Sequence, residues 1–176
     1  IMNDMSGHKR FSQPSRSGKF AFVLMPRFSL LALASTIEPL RHANNVLCAE
    51  HYSWPLYSED GGKVLSSSGV PVVPSGSLKD VPLDATVILV GGADILQCYS
   101  PTMVKWLRHI AVRVGMVGGI CTATRVLAEA GLLDGHRATI HWEMRESMRE
   151  AFPRVELTDS LFEIDRNRLT CAGETA

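Results

Sequence analysis

Two unbroken apolar runs, at residues 20–25 and 86–90, stand out from the mixed apolar and polar positions around them. Neither run alternates with a period of two, as a half-exposed strand would, so both predict strands buried on both faces of a sheet. Gly91 and Gly92 directly follow the second run and predict a tight turn. The pattern therefore indicates a sheet whose central strands are covered on both sides.

Helical spacing of apolar residues appears in the segments that follow these runs. Ser29 is a residue type that caps helices, and after it apolar positions recur every three or four residues as far as Leu40. Pro39 lies within this segment and predicts a kink or a restart, because it lacks an N–H and crowds the preceding turn. Pro101 opens another helix, predicted to reach about residue 112 with one apolar face.

The segment 114–142 has the pattern of a strand, a tight turn, a helix and a second strand. Residues 116–120 form an apolar run that is followed by Cys121, and residues 137–140 are predicted as a second short strand that is followed by His141. A right-handed crossover would place both strand ends at one edge of a parallel sheet. We therefore expect Cys121 and His141 to lie side by side at the carboxyl edge, where open α/β sheets bind ligands.

The whole chain predicts a flavodoxin-like three-layer α/β sandwich with a mainly parallel sheet, because strands alternate with helices. Further short strands are expected at 155–157, 161–164 and 169–171, the last two joined as a hairpin. Residues 1–19 are rich in Ser, Gly, Lys and Arg without an apolar period, so we expect a disordered tail there. One domain should span residues 20–176.

Composition narrows the classes of function. The 18 Lys and Arg residues balance the 18 Asp and Glu residues, so the chain lacks the basic field typical of a nucleic-acid binder. The four cysteines are far apart and show no Cys-x-x-Cys spacing, which argues against a zinc site. Without a signal peptide or a long apolar span, we expect a reduced, cytoplasmic protein with no membrane contact, metal or cofactor.

Cys121 is the sharpest candidate for chemistry. The predicted turn from strand to helix would expose its thiol and aim the first N–H groups of the helix at it, which favours the thiolate. The preceding glycines permit the bend of a nucleophile elbow, although the Gly-x-Ser-x-Gly pattern itself is absent. The sequence equally allows Cys121 to be a small core residue.

His141 is the second candidate, either as a base for Cys121, as a ligand contact, or as a structural residue. No third group completes a triad, because Glu143 and Asp94 are candidates by proximity alone. A triad is therefore not established.

Three further positions have both a ligand-binding and a structural interpretation. The backbone N–H groups of Gly91 and Gly92 would suit a carboxylate or an oxyanion, or the pair is a plain turn. The Trp142 ring would attract a quaternary-ammonium group, or it fills a core or an interface. Glu38 either turns into the cleft or is an ordinary surface residue.

The run at 118–143 resembles the amino-terminal domain of AraC-family transcriptional regulators, in those members whose sensor domain is similar to class I glutamine amidotransferases and isonitrile hydratases. The resemblance covers about residues 20–176. Its motifs read GGICT at 118–122, LAEAGLLDG at 127–135, TIHWE at 139–143, FSLL at 28–31, EPLR at 38–41 and LFEIDRNRLTCAG at 161–173.

The resemblance implies a sensor domain that forms a homodimer and binds a small metabolite such as glycine betaine, carnitine or arginine. DNA would be bound only through a carboxyl-terminal helix-turn-helix domain that this chain does not contain. With the motif residues Phe28 and Thr122 included, the ligand-binding candidates are Phe28, Glu38, Gly91, Gly92, Cys121, Thr122, His141 and Trp142.

Departures from the family pattern bear on activity. Enzymes of the superfamily commonly carry an acidic residue near the start of the first helix, where this chain has Ala32. The family's Cys-Thr-Gly is Cys-Thr-Ala at residues 121–123, and Arg125 replaces an apolar or aromatic residue. We therefore favour a sensor over the alternative, a cysteine-dependent hydrolase or hydratase; a redox-sensing thiol is a third interpretation.

Overall fold

The computed structural model describes residues 18–173, which form an eight-stranded sheet and two small two-stranded sheets. The strands are β1 (Gly18–Leu24), β2 (Tyr52–Ser53), β3 (Leu56–Ser58), β4 (Val64–Leu65), β5 (Pro71–Val72), β6 (Gly76–Ser77), β7 (Thr86–Val90), β8 (Val117–Ile120), β9 (Arg137–Ala138), β10 (Glu156–Leu157), β11 (Phe162–Asp165) and β12 (Arg168–Cys171). The helices are α1 (Leu30–Leu47), α2 (Pro101–Ile110), α3 (Thr124–Glu129) and α4 (Arg145–Ala151).

The main sheet has the order β11-β12-β8-β7-β1-β3-β6, and β2 pairs with the start of β1. Within the described residues its pairs are parallel, apart from the β11–β12 hairpin. The apolar runs of the sequence form its centre: β1 lies against β7, with Phe22 opposite Ile88. Both residues are at most 2% exposed, as predicted for strands covered on both sides.

Helices cover both faces of this sheet. Alternate residues of β1 point to opposite sides, so they pack in two different cores. Phe22 and Leu24 pack in the core under α1, whereas Ala21 and Val23 pack in the larger core on the side of α2, α3 and α4. The predicted three-layer, flavodoxin-like sandwich is confirmed.

Helix α1 begins as predicted, with the Ser29 hydroxyl accepting a hydrogen bond from the Ala32 N–H at 3.2 Å. The helix runs through Pro39 without a restart and ends at Leu47. Pro39 is exposed, so its ring meets solvent on the outer side of the helix and not the packed core. The predicted restart at Pro39 is not observed.

The position of residues 137–140 differs from the prediction. These residues do not form the strand next to β8; β9 covers only two of them and pairs with β10 in a separate small sheet. The neighbour of β8 is β12, with Cys171 opposite Ile120. After β9, the Thr139 N–H donates to the Thr170 hydroxyl at 2.9 Å, so β9 is packed beside β12 and does not extend the main sheet.

The β4–β5 hairpin crosses the segment that joins β1 to α1. The Arg27 N–H donates to Leu65 O at 2.9 Å, and the Ser67 N–H donates to Phe28 O at 2.9 Å. Phe28 itself is fully buried and is bridged to both Ser66 and Gly92. This arrangement brings the hairpin to the carboxyl edge of the sheet.

The first strand begins slightly earlier than predicted. Gly18 and Lys19 belong to β1, so the domain extends beyond the predicted residue 20, and the rest of the predicted disordered tail lies outside the described residues. Among residues 18–173, no helix combines the length and the apolar character needed to cross a membrane.

Candidate functional site

Cys121 lies at the junction where β8 ends and the chain turns into a helix. Its φ is +62°, in the left-handed region, and residues 121–123 form a 3-10 turn that leads into α3. A non-glycine residue in that conformation costs roughly 1–2 kcal/mol. Such strain is found where the surrounding fold holds a functional residue in place. The residue is 3% exposed, so access to its side chain is restricted.

Two glycines allow close backbone packing at this edge: Gly91 faces the turn after Cys121, and Gly92 faces the segment that joins β1 to α1. A Cβ atom at Gly91 would lie 2.5 Å from Ala123 N, and one at Gly92 would lie 2.1 Å from Arg27 O. The Thr122 hydroxyl uses this closeness and donates to Gly92 O at 2.7 Å. Glycine is therefore required here for close backbone packing.

His141 is brought to Cys121 by a backbone contact: the His141 N–H donates to Cys121 O at 3.4 Å. The His141 side chain is 12% exposed, and its Nδ1 lies 3.8 Å from Glu143 Oε2, beyond hydrogen-bond distance. Nδ1 is buried and has no hydrogen-bond partner among the described residues. The predicted pair thus shares one edge of the fold, although His141 does not follow a strand of the main sheet.

Both residues line a cleft of about 240 Å³. The lining consists of Ser29, Ser67, Gly92, Ala93, Cys121, Thr122, His141, Trp142 and Glu143. Trp142 is 67% exposed, and its ring centroid is 5.7 Å from that of His141. A second cavity of about 310 Å³ continues from the cleft and shares Gly92, Ala93, Thr122 and Glu143 with it. The cleft therefore combines a thiol, an imidazole, an aromatic face and a carboxylate.

Three of the predicted ligand-binding residues do not line this cleft. Glu38 is on the exposed side of α1, where Arg41 binds its carboxylate and lowers its pKa. Phe28 is fully buried, because its side chain belongs to the core under α1. Gly91 donates its N–H to Ile120 O at 3.2 Å, so this group is used within the sheet edge and is not offered to a ligand.

Two serines of the cleft were not predicted as site residues. Ser29 was predicted only as a helix cap. It caps α1 and also lines the cleft, because α1 begins there. Ser67 is carried there by the β4–β5 hairpin, through its hydrogen bond to Phe28 O. Capping is a local signal, but no local pattern could indicate where the hairpin docks.

The acidic residue of the enzymes is missing in space as well as in sequence. Ala32 is 1% exposed, and the first turn of α1 has no acidic residue. Asp94 forms an ion pair with Arg27 at 3.0 Å and lines the adjoining cavity, not the cleft itself. Arg125 lies 5.1 Å from the centre of the Phe152 ring and does not line the cleft. Among the described residues of the cleft, Glu143 supplies the carboxylate.

A backbone contact joins the cleft to the far end of the described chain. A Cβ atom at Gly173 would lie 2.8 Å from Cys121 Cβ and 2.9 Å from Cys121 Cα. Gly173 has a φ of +86°, which favours glycine on its own account. The main chain at Gly173 therefore lies directly against Cys121.

The fold around this site is that of a known protein family. A sequence profile of the DJ-1/PfpI family matches residues 19–176. The chain belongs to the DJ-1/PfpI family. The family has the class I glutamine amidotransferase-like fold that the motifs around Cys121 predicted, so this part of the resemblance is confirmed.

The similar proteins include transcriptional regulators. The chain is 44% identical over 160 residues to the HTH-type transcriptional regulator CdhR of Pseudomonas aeruginosa, a match that covers 91% of this chain and 47% of CdhR. It is 41% identical over 155 residues to the regulator GbdR of the same species, covering 88% of this chain and 42% of GbdR.

A crystal structure of an AraC family transcriptional regulator from Pseudomonas putida superposes with a TM-score of 0.77 at 27% identity, covering 89% of this chain and 84% of that one. The chain spans about half the length of the two curated regulators. The predicted resemblance to AraC-family regulators is confirmed at this level.

Proposed function

We propose that this chain is the effector-sensing and dimerisation domain of an AraC-family transcriptional regulator. Its similarity to regulators over most of its length supports this assignment. The neutral charge balance agrees with a domain that does not bind DNA by itself. In this proposal, DNA is bound by a helix-turn-helix domain in the part of a longer protein outside these 176 residues.

The observation that carries the sensing role is the lining of the Cys121 cleft. The exposed Trp142 ring and the Glu143 carboxylate lie beside His141 at the mouth of one hollow. An aromatic face and a carboxylate both attract a cationic or quaternary-ammonium group. The cleft is smaller than the roughly 300–1,000 Å³ typical of sites for drug-sized ligands, and so suits a small metabolite.

The proposed effector is a small zwitterion such as glycine betaine, carnitine or an arginine-like amino acid. Its cationic end would face Trp142 and Glu143, and its carboxylate would lie near the backbone at Gly92 and Thr122, where the helical turn begins. Binding changes the regulator only if the effector has different affinities for two arrangements of the full-length protein. The contact between Gly173 and Cys121 offers a direct route for that difference.

Calorimetric titration of glycine betaine, carnitine and arginine tests this proposal. At least one should bind saturably, and Trp142→Ala should weaken that binding by about tenfold, the upper part of the range for a cation–π contact. Glu143→Gln should also weaken binding, because it removes the carboxylate of the cleft. Glu146→Gln is its matched control, since Glu146 is a nearby exposed carboxylate that pairs with Arg149 and does not line the cleft. Absence of binding by all three compounds would reject this ligand class.

The dimerisation part of the proposal rests on the apolar side chains that α1 leaves in solvent. Leu31, Val46 and Leu47 are between 49% and 84% exposed. Light scattering should give twice the chain mass of 19.3 kDa, and Val46→Glu should lower it. Val73→Glu is the control, since Val73 is similarly exposed at 77% but is not on α1. A monomeric wild-type chain would contradict dimerisation through this domain alone.

A cysteine-dependent hydrolase or hydratase is the second candidate function. Its support is the positive φ of Cys121 at a strand-to-helix junction beside His141, which is the backbone arrangement of a nucleophile elbow. The absence of a carboxylate at Ala32 counts against turnover. Steady hydrolysis or hydration that disappears in Cys121→Ala would place this function above sensing.

A further inference from the structure

A cavity of about 580 Å³ opens at the carboxyl ends of β1 and β3. It shares no lining residue with the Cys121 cleft, and the segment that joins β1 to α1 separates the two. Its volume lies within the range of small-molecule sites. Carboxyl ends of strands are where open α/β sheets bind ligands, so the location also fits a binding site.

The floor of this cavity is apolar and fixed by the fold. Leu24 at the end of β1 and Met103 in the first turn of α2 are each 1% exposed, and Val64 of β4 is 7% exposed. Leu65, which is half exposed, forms part of the opening. Such a floor favours a ligand whose body is a hydrocarbon chain or ring.

The rim carries two acidic and two basic side chains, and the acidic ones are already engaged. Glu59 accepts a hydrogen bond from the Ser100 hydroxyl, the cap of α2. Asp60 accepts one from the Gly62 N–H at 2.8 Å, within its own turn. One oxygen of each carboxylate is therefore held by a neutral local donor, and both side chains keep their negative charge.

The basic side chains of the rim, Arg27 and Lys63, have N–H groups that are available to a ligand. Arg27 pairs with Asp94 through its Nε at 3.0 Å, and no hydrogen bond from its terminal nitrogens to another described residue occurs. Lys63 forms no ion pair with any residue that the structure describes. The rim thus offers a ligand two cationic side chains with available donors, next to the carboxylates of Glu59 and Asp60 and beside an apolar floor.

We propose that this cavity is a second ligand site, spatially separate from the Cys121 cleft, for a small monocarboxylate with an apolar body. The carboxylate binds Lys63 and the terminal nitrogens of Arg27, as cationic donors bind carboxylates elsewhere. The hydrocarbon part covers Leu24, Val64 and Met103. This site adds to the proposed function and does not depend on it.

Titration with hexanoate, followed by calorimetry and by backbone NMR shifts of the 176-residue chain, tests the site. Hexanoate should bind saturably and shift the signals of Lys63 and Leu65. Hexanamide, which has the same shape without the charge, should bind at least tenfold more weakly. Lys63→Met should weaken hexanoate about fivefold, the value of one exposed ion pair.

Two control variants and one blocking variant locate the binding. Lys79→Met removes another exposed lysine that does not line the cavity and should leave hexanoate binding unchanged. Cys121→Ala should also leave it unchanged, which separates this site from the proposed effector cleft. Leu65→Trp should abolish binding, because the larger ring fills the opening.

Several results would overturn the proposal. Equal affinity for hexanoate and hexanamide would show that charge is not recognised, and tighter binding of the zwitterion norleucine would show that the acidic residues select the ligand. Loss of hexanoate binding in Cys121→Ala would place the ligand in the other cleft. No saturable binding of hexanoate would remove the site altogether.

Discussion

Cys121 combines a strained backbone with restricted access. Its φ of +62° places the residue at the turn into the helix, and its side chain is only 3% exposed. A reactive cysteine usually lies in electropositive surroundings and is partly exposed to solvent. The buried position, together with the missing carboxylate at Ala32, is the reason why we place ligand sensing above catalysis at this site.

Gly92 gives a prediction at the residue scale. Gly92→Ala should lower the free energy of unfolding by about 1–3 kcal/mol. The new methyl group would lie 2.1 Å from Arg27 O, and relieving that contact requires the backbone to move. Chemical denaturation measures this. Gly115→Ala is the control, since a Cβ atom there meets nothing within 4 Å, and it should change stability by less than about 0.5 kcal/mol. Equal effects of the two substitutions would contradict a steric cause at Gly92.

At this scale the sequence indicated the residues at strand ends but not those delivered by long-range docking. Cys121 follows from where an apolar run stops, and His141 from the end of the predicted short strand, whereas Thr122 came from the family resemblance. Ser67 could not be predicted in either way, because its place depends on how a two-stranded hairpin packs across a distant segment. For Glu38 the sequence left a cleft position and a surface position open, because helical spacing identifies a helix but the face that meets the cleft depends on tertiary packing.

Among the elements, those with strong local signals were predicted well. The run at β7 was predicted with its observed bounds, and α2 ends two residues before the expected position. Both contain contiguous or periodic apolar residues, whose burial decides their structure. The hairpin of β11 and β12 was also predicted, and Arg166 supplies the left-handed turn with a φ of +53°.

The order of the strands was harder to predict than their existence. The sequence places a strand after α3, and the handedness rule suggested that it returns beside β8. The main sheet instead uses β12 there, since β12 offers four residues in parallel register with β8 while β9 pairs over only two residues with β10. Competition between distant segments leaves no periodic signal in the chain.

The link between β9 and β11 gives a prediction at the element scale. Glu163 accepts hydrogen bonds from the Thr158 hydroxyl at 2.8 Å and from Arg137 at 2.9 Å, and these partners, Thr158 first, lower the pKa of Glu163. A carboxylate with a depressed pKa in the folded state adds stability above its unfolded pKa. That stability is lost as the pH falls through the folded value.

Glu163→Gln should therefore destabilise the protein at pH 7, and the gap to the wild type should shrink as the pH falls below about 4. Urea unfolding at a series of pH values measures this. Glu146→Gln, which removes an exposed carboxylate paired within α4, should have little effect at any pH. A gap that stays constant between pH 7 and pH 3 would exclude the ionised carboxylate as its cause.

On the scale of the whole molecule, the carboxyl edge of the sheet holds every cavity to which we assign a ligand. The Cys121 cleft, the adjoining cavity and the cavity at β1 and β3 all lie along it. Gly173 reaches the same edge and lies against Cys121.

Gly173→Ala tests this contact. It should destabilise the chain by more than Gly131→Ala, because both glycines have positive φ but only Gly173 has close neighbours, namely atoms of Cys121. Gly131→Ala reports the conformational cost alone, roughly 1–2 kcal/mol. In a Cys121→Gly background the extra cost of Gly173→Ala should fall by at least about 0.5 kcal/mol in a double-mutant cycle. Additive effects would mean that the two residues are not coupled.

The hydrogen bonds from Arg27 to Leu65 and from Ser67 to Phe28 make one thin partition, with the Cys121 cleft on one side and the cavity at β1 and β3 on the other. A molecule that stiffens the partition from either side removes motion that the second molecule would otherwise have to suppress. Binding of one ligand would then raise the affinity for the other, and thermodynamic linkage makes this factor the same in both directions. The domain would then respond strongly when the cleft and the cavity are both occupied, and weakly when only one of them holds a ligand.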